Sequence, residues 1–86
     1  MVKSLKVYGG HLDGRHRYIV AAKSMAEAAR QYLKYGVYTT YSICREFCTE
    51  SANSKELELC LAKPGVVFRT LDKNEREYEE MMNIGD

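Results

Sequence analysis

The sequence predicts an α+β domain in which a small antiparallel three-stranded sheet packs on three to four short helices, in the order β-β-α-α-α-β-α. Three observations carry this. Leu5-Lys6-Val7-Tyr8 and Arg17-Tyr18-Ile19-Val20-Ala21-Ala22 are short runs of β-branched and aromatic residues on either side of a glycine-rich stretch, Gly9 to Gly14. Ser24 with Glu27, and Asn53 with Glu56, have the spacing of helix-capping boxes, in which side chains satisfy the free amides of a first turn. Val66 to Leu71 is a further strand-like run, entered through Lys63-Pro64-Gly65. At 86 residues the chain is expected to be one domain, residues 1–86. Its sheet-and-helix core is expected at about 3–71 and a C-terminal helix at about 73–83, boundaries set by the cap and stop signals.

Each element has its own reason. Asp13-Gly14 suits a two-residue type I′ turn, because both central residues need positive φ. That turn places His11 opposite His16 and Val7 opposite Val20, and leaves Gly9 and Gly10 as a bulge or a place of close backbone approach. Met25, Ala28, Ala29, Tyr32 and Leu33 form one apolar stripe at helical spacing, and Gly36 supplies a stop. Thr39-Thr40-Tyr41-Ser42 starts a shorter helix in which Ile43 and Phe47 are i, i+4 partners and Cys44 and Cys48 lie one position further round. In the next helix Leu57, Cys60 and Leu61 share a face before Pro64-Gly65 ends it. The strand at Val66 to Leu71 then pairs with the hairpin, since a lone hairpin is unstable. Asp72-Lys73-Asn74-Glu75 caps the last helix, on which Tyr78, Met81 and Met82 share a stripe above acidic residues.

Composition bounds the function. No apolar run reaches the roughly 18 residues of a membrane span, and the N-terminus lacks the apolar stretch of a secretory signal, so a cytoplasmic protein without membrane contact is expected. Cys44, Cys48 and Cys60 are an odd set confined to the second half, which argues for reduced thiols over a disulfide framework. The net charge of +1 conceals a polarity: residues 1–48 carry eight Lys or Arg against three acids, and the remainder carries five against nine. Such a dipole can steer a phosphate-bearing ligand to one end or align identical chains head to tail.

Arg17 to Ser24 leading into an Ala-rich helix, Asn53 with Glu56, and Ala62-Lys63-Pro64-Gly65-Val66-Val67-Phe68-Arg69 resemble a group of small uncharacterised phage and prophage proteins. The resemblance spans roughly residues 7–72, and its motifs are a strand end, a cap and a Pro-Gly stop. It implies a virus-encoded accessory protein acting in a bacterial cytoplasm, a class in which inhibitors of host defence are common. It implies no catalytic residue.

Two stretches carry binding chemistry. His11, Arg15, His16 and Arg17 around flexible glycine amides suit a phosphate or phosphodiester, although the stretch has neither a phosphate-loop lysine nor a following helix. Tyr32, Tyr35, Tyr38 and Tyr41 recur every third residue, near Arg30, Lys34 and Arg45. Tyr35, Tyr38 and Tyr41 are therefore candidates to stack on a base, while tyrosines in this pattern equally serve core edges and protein interfaces. Cys44, Cys48, His11 and His16 formally make a zinc set, but two cysteines at i, i+4 are ordinarily small apolar packing, so no metal or cofactor is expected. The acids Glu75, Glu77, Glu79 and Glu80 read as a solvated flank, not a catalytic pair.

The expected function is therefore that of a binding protein and not an enzyme: a phage accessory protein that neutralises a host component, by docking on a defence protein or by sequestering a nucleotide-type ligand. The alternative is a small DNA-binding protein, with Ala28-Ala29, Gly36-Val37 and the following polar stretch as a helix-turn-helix-like segment. Homo-oligomerisation is expected through Tyr78, Met81 and Met82, which a short terminal helix leaves uncovered.

Overall fold

The computed structural model describes residues 4–38, 40–71, 74 and 77–82. In chain order the elements are β1 (Lys6–Gly10), β2 (Tyr18–Ala22), α1 (Met25–Lys34), α2 (Tyr41–Phe47), β3 (Thr49–Glu50), α3 (Ser54–Ala62), β4 (Phe68–Thr70) and β5 (Tyr78–Glu80). The strands form one antiparallel sheet in the order β3-β1-β2-β4-β5. The α+β class stands, with five strands in place of three and three helices among the described residues.

The central strand β2 is buried at all five positions. Alternation along a strand sends successive side chains to opposite faces. Tyr18, Val20 and Ala22 enter a cluster with Ala28, Ala29 and Tyr32 of α1 and Cys44 of α2, whereas Ile19 and Ala21 join Val7, Cys60 of α3 and Phe68. Helices thus cover both faces of the strand, α1 and α2 on one side and α3 on the other. Full burial of Ile19 and Val20 contributes about 1.5 to 3 kcal/mol each relative to exposure.

Ser24 and Asn53 cap their helices as expected, but Glu56 does not close its box, since the Asn53 amide donates to Ser51 Oγ at 3.2 Å. Ser24 Oγ accepts from the Glu27 amide at 3.2 Å, and Asn53 Oδ1 accepts from the amides of Lys55 and Glu56 at 2.9 and 3.2 Å. Gly36 and Gly65 end their helices at φ of 79° and 84°. On α1 the inward stripe is Ala28, Ala29 and Tyr32, and Leu33, expected to share it, is 55% exposed. On α2, capped by Thr40, the buried residue is Cys44, while Phe47 faces solvent; small thiols fit the narrow space above β1 that an aromatic ring does not. Thr39 lies outside the described residues.

Three expectations are corrected. The hairpin has no two-residue turn: a seven-residue connection, residues 11–17, sets Val7 opposite Ala21 and Tyr8 opposite Val20, one residue away from the expected register. The cause is Asp13, whose carboxylate gathers two amides of the loop and widens it. Gly9 and Gly10 pair without a bulge, and their use is close approach: a Cβ on Gly9 would meet the Arg17 guanidinium, and one on Gly10 would strike the Phe47 carbonyl. Thr49–Glu50 adds an edge strand, too short and polar to carry a strand signal. Finally, Tyr78–Glu80 is strand β5 on β4, not part of a helix; residues 73, 75–76 and 83 of that expected element are outside the described set. Tyr78 then packs with Val7, Ile19 and Phe68 on one face, and Met81 packs on the cluster of the other, so the two do not form a stripe.

Gly10→Ala is expected to lower the unfolding free energy by about 2 kcal/mol through overpacking against the backbone of Phe47 and Cys48. Urea denaturation checks this. Gly14→Ala, with open space around it but φ of 78°, should cost about 1 kcal/mol from backbone strain alone.

Candidate functional site

Arg17 has the same strand parity as Ile19 and Ala21, so its side chain turns toward α3. There Nε donates to Glu56 Oε2 at 2.7 Å and Nη2 to Oε1 at 3.0 Å. Ser51 Oγ donates to Glu56 Oε1 at 2.5 Å and the Tyr78 hydroxyl to Oε2 at 3.1 Å. Glu56 is only 2% exposed. Burial alone would raise its pKa, but the hydrogen bonds from Arg17, Ser51 and Tyr78, with the Arg17 charge, hold it below the usual carboxylate range. Sequence reasoning placed Glu56 as a capping side chain and Arg17 as a ligand cation. The missed signal was geometric: Glu56 stands four residues before Cys60, on the inward face of α3, and Arg17 continues the inward parity of β2. The Arg17 guanidinium is therefore engaged inside the fold.

At the hairpin tip, Asp13 Oδ1 accepts from the amides of Arg15 and His16, both at 2.8 Å, and Oδ2 accepts from the Tyr18 hydroxyl at 2.7 Å. Burial pushes the Asp13 pKa up, and these hydrogen bonds outweigh it, bringing the value down to about 2. Tyr18 is pushed up to about 12, by burial and then by Asp13. The amides that were candidates to cradle a phosphate are thus taken by the chain's own carboxylate. His16 Nδ1 lies 2.8 Å from the Thr70 carbonyl, an acceptor only, which assigns the proton to that nitrogen. His11 is exposed at the loop. Arg15 is exposed, and its guanidinium makes no hydrogen bond or ion pair among the described residues.

The tyrosine series divides. Tyr32 is fully buried, its hydroxyl within reach of the carbonyls of Tyr8 and Tyr18 at 3.0 and 3.2 Å. Tyr35 is buried as well, while Tyr41 is half exposed and Tyr38 is 97% exposed. Tyr38, Leu33, Thr40 and Ile43 line a surface hollow of about 310 Å³ at the α1–α2 junction. No hairpin residue lines it. The structure therefore does not join the two predicted halves of a ligand site, His11, Arg15, His16 and Arg17 on one side and Tyr38 on the other, in one pocket.

Charge is partitioned in the same way. Lys6, Arg17, Lys63 and Arg69 pair with Glu50, Glu56, Glu80 and Glu79. Arg30, Lys34 and Arg45 on α1 and α2 are exposed, and their side chains make no hydrogen bond or ion pair among the described residues. From Ala28 to Arg45 the chain has no acidic residue. The hollow thus lies in a stretch, residues 28–45, whose charged residues are all basic, with the exposed Glu46 following on α2.

Cys44 and Cys48 lie with their Sγ atoms 3.9 Å apart in the core, and burial pushes Cys48 and Cys60 up to about 12, so both thiols are protonated at neutral pH. Among the described residues no three His, Cys, Asp or Glu side chains gather as a metal site, and no helix is long and apolar enough to cross a membrane. No protein-family model, curated protein or solved structure gives a significant match to the chain.

Glu56→Ala is expected to cost about 3 to 5 kcal/mol in urea denaturation, because it leaves the Arg17 charge without its partner. The pH dependence follows from the depressed pKa of Glu56. Its contribution is complete above its unfolded value of 4.5 and is lost as pH falls through the lower folded value. Glu56→Gln should therefore show a shallower loss of stability between neutral and acid pH than the parent chain.

Proposed function

We propose that the chain is a small non-enzymatic binding protein of a bacteriophage that docks through its α1–α2 junction on a protein of the bacterial host cytoplasm and neutralises it. The observation that carries this reading is the exposure of Leu33 and Tyr38 at a hollow that Thr40 and Ile43 also line, on helices whose cations Arg30, Lys34 and Arg45 have no side-chain partner among the described residues. Contiguous exposed apolar surface marks interaction sites, and tyrosine and arginine are the residues on which interface energies concentrate. The phage setting and the role against host defence rest on the similarity of the strand, cap and Pro-Gly motifs to small phage and prophage proteins.

Sequestration of a nucleotide-type ligand is supported less well, because the hairpin amides are bound to Asp13 and Arg17 to Glu56. His11, Arg15, Tyr38 and Tyr41 remain the exposed groups such a ligand would use. The helix-turn-helix reading meets a connection of residues 35–40, longer than the roughly 3 to 4 residues of that motif, and a second helix of only seven residues. Association of copies, if driven by the C-terminal stretch, rests on Met82, since Tyr78 and Met81 are engaged on opposite faces of the sheet.

Site-specific photocrosslinking in bacterial cells tests the reading. A photoreactive phenylalanine derivative in place of Tyr38 should yield a discrete protein adduct that Leu33→Asp abolishes, and the same group in place of Leu61 on α3 should not. Adducts only to nucleic acid, or equal adducts at both positions, would contradict docking at the junction.

A further inference from the structure

We infer that the element received by the α1–α2 junction is an acidic protein segment that seats one bulky apolar side chain in the hollow and sets carboxylates against Arg30 and Lys34. This rests on the docking reading and adds the chemistry of the partner.

Two features define the occupant. The hollow is about 310 Å³, at the low end of the roughly 300 to 1,000 Å³ that small-ligand sites occupy, and it is open to solvent, so it fits an anchoring side chain better than an enclosed molecule. Its walls are Leu33, Ile43 and the ring of Tyr38, with Thr40 the one small polar residue. An apolar knob, Leu, Ile, Met or Phe, satisfies such walls, whereas a phosphate or ribose would lose its hydration there without replacement.

The charge of the surround fixes the rest. Arg30 precedes Leu33 by three positions on α1 and so shares its face, and Lys34 follows Leu33 directly in the chain; both are exposed. Neither side chain has a hydrogen bond or ion pair among the described residues, in contrast to the paired cations of the sheet and α3. A partner with carboxylates flanking its anchor supplies the missing counter-charges, and a basic partner is repelled. Nucleic acid shares the charge but not the apolar knob. A formal net charge of +1 also gives little general attraction for a polyanion.

Selection from a random peptide library displayed against the full chain at physiological salt tests the inference, with affinities of synthesised hits measured by fluorescence anisotropy. The expected hits carry a bulky apolar residue with Asp or Glu within one turn on either side. Their Kd should rise about tenfold or more in Arg30→Glu/Lys34→Glu and in Leu33→Asp, and change less than about twofold in Arg15→Ala, a cation outside the hollow. All four positions are exposed, and circular dichroism confirms that each variant stays folded. Hits that are neutral or basic yet still lost in Leu33→Asp would overturn the acidic partner and leave docking intact. An empty selection, or hits indifferent to Leu33→Asp, would overturn both. Binding of a thymidine 12-mer that the same double variant abolishes, with no peptide bound, would reassign the surface to nucleic acid.

Discussion

The burial of β2 on both faces is the constraint from which the other features follow. A strand between two helical layers has nowhere to place a polar side chain except at its ends, and Arg17 stands immediately before it with inward parity. Its guanidinium meets one carboxylate, Glu56, on the first turn of α3. That carboxylate accepts from Ser51 in the β3–α3 connection and from Tyr78 in β5 as well. Three stretches remote in sequence, at Arg17, at Ser51 to Glu56 and at Tyr78, are therefore tied at one buried acid, and the sheet edge carrying Tyr78 is held although β5 has only three residues.

The same arrangement decides which surfaces are available for binding. Cations that face the sheet or α3 find carboxylates within the fold, Arg17 at Glu56, Lys63 at Glu80 and Arg69 at Glu79. The hairpin tip neutralises itself in a different way, with the Asp13 carboxylate occupying the amides of its own loop. Among the described residues the side chains of Arg30, Lys34 and Arg45 on the α1–α2 side make no such pair. There the inner faces of the helices are spent on small residues, Ala28, Ala29 and Cys44, packed over Val20 and Ala22. Small inner residues bring the helices close to the sheet and leave Leu33 and Phe47 outside.

Much of the fold was legible because local signals agreed with the tertiary structure: the Ser24 and Asn53 caps, the Gly36 and Gly65 stops, and the apolar runs of β1, β2 and β4. The C-terminal stretch misled because Tyr78, Met81 and Met82 fit a 3.6-residue period over too few residues for the period to discriminate. Pairing with β4 decides its structure, and that contact is invisible in sequence. The hairpin register failed by one residue because Asp13-Gly14 signals a tight turn only when the aspartate is not drawn into capping the loop from within. For the site, the tyrosine period was visible, but exposure was not. Tyr32 and Tyr38 differ by six positions and by almost the whole range of burial, since one lies on the inner stripe of α1 and the other beyond its glycine stop.

Hydrogen exchange on the full chain, read residue by residue, addresses the organising role of β2 most directly. If the strand is the rigid base beneath the α1–α2 surface, the amides of Ile19 to Ala21 should be among the slowest to exchange and should report the global unfolding free energy. Those of α2, a seven-residue helix with an exposed outer face, should exchange through smaller local openings. Slow exchange confined to α1 and α2, with β2 amides opening as readily as those of β5, would contradict a fold organised around that strand.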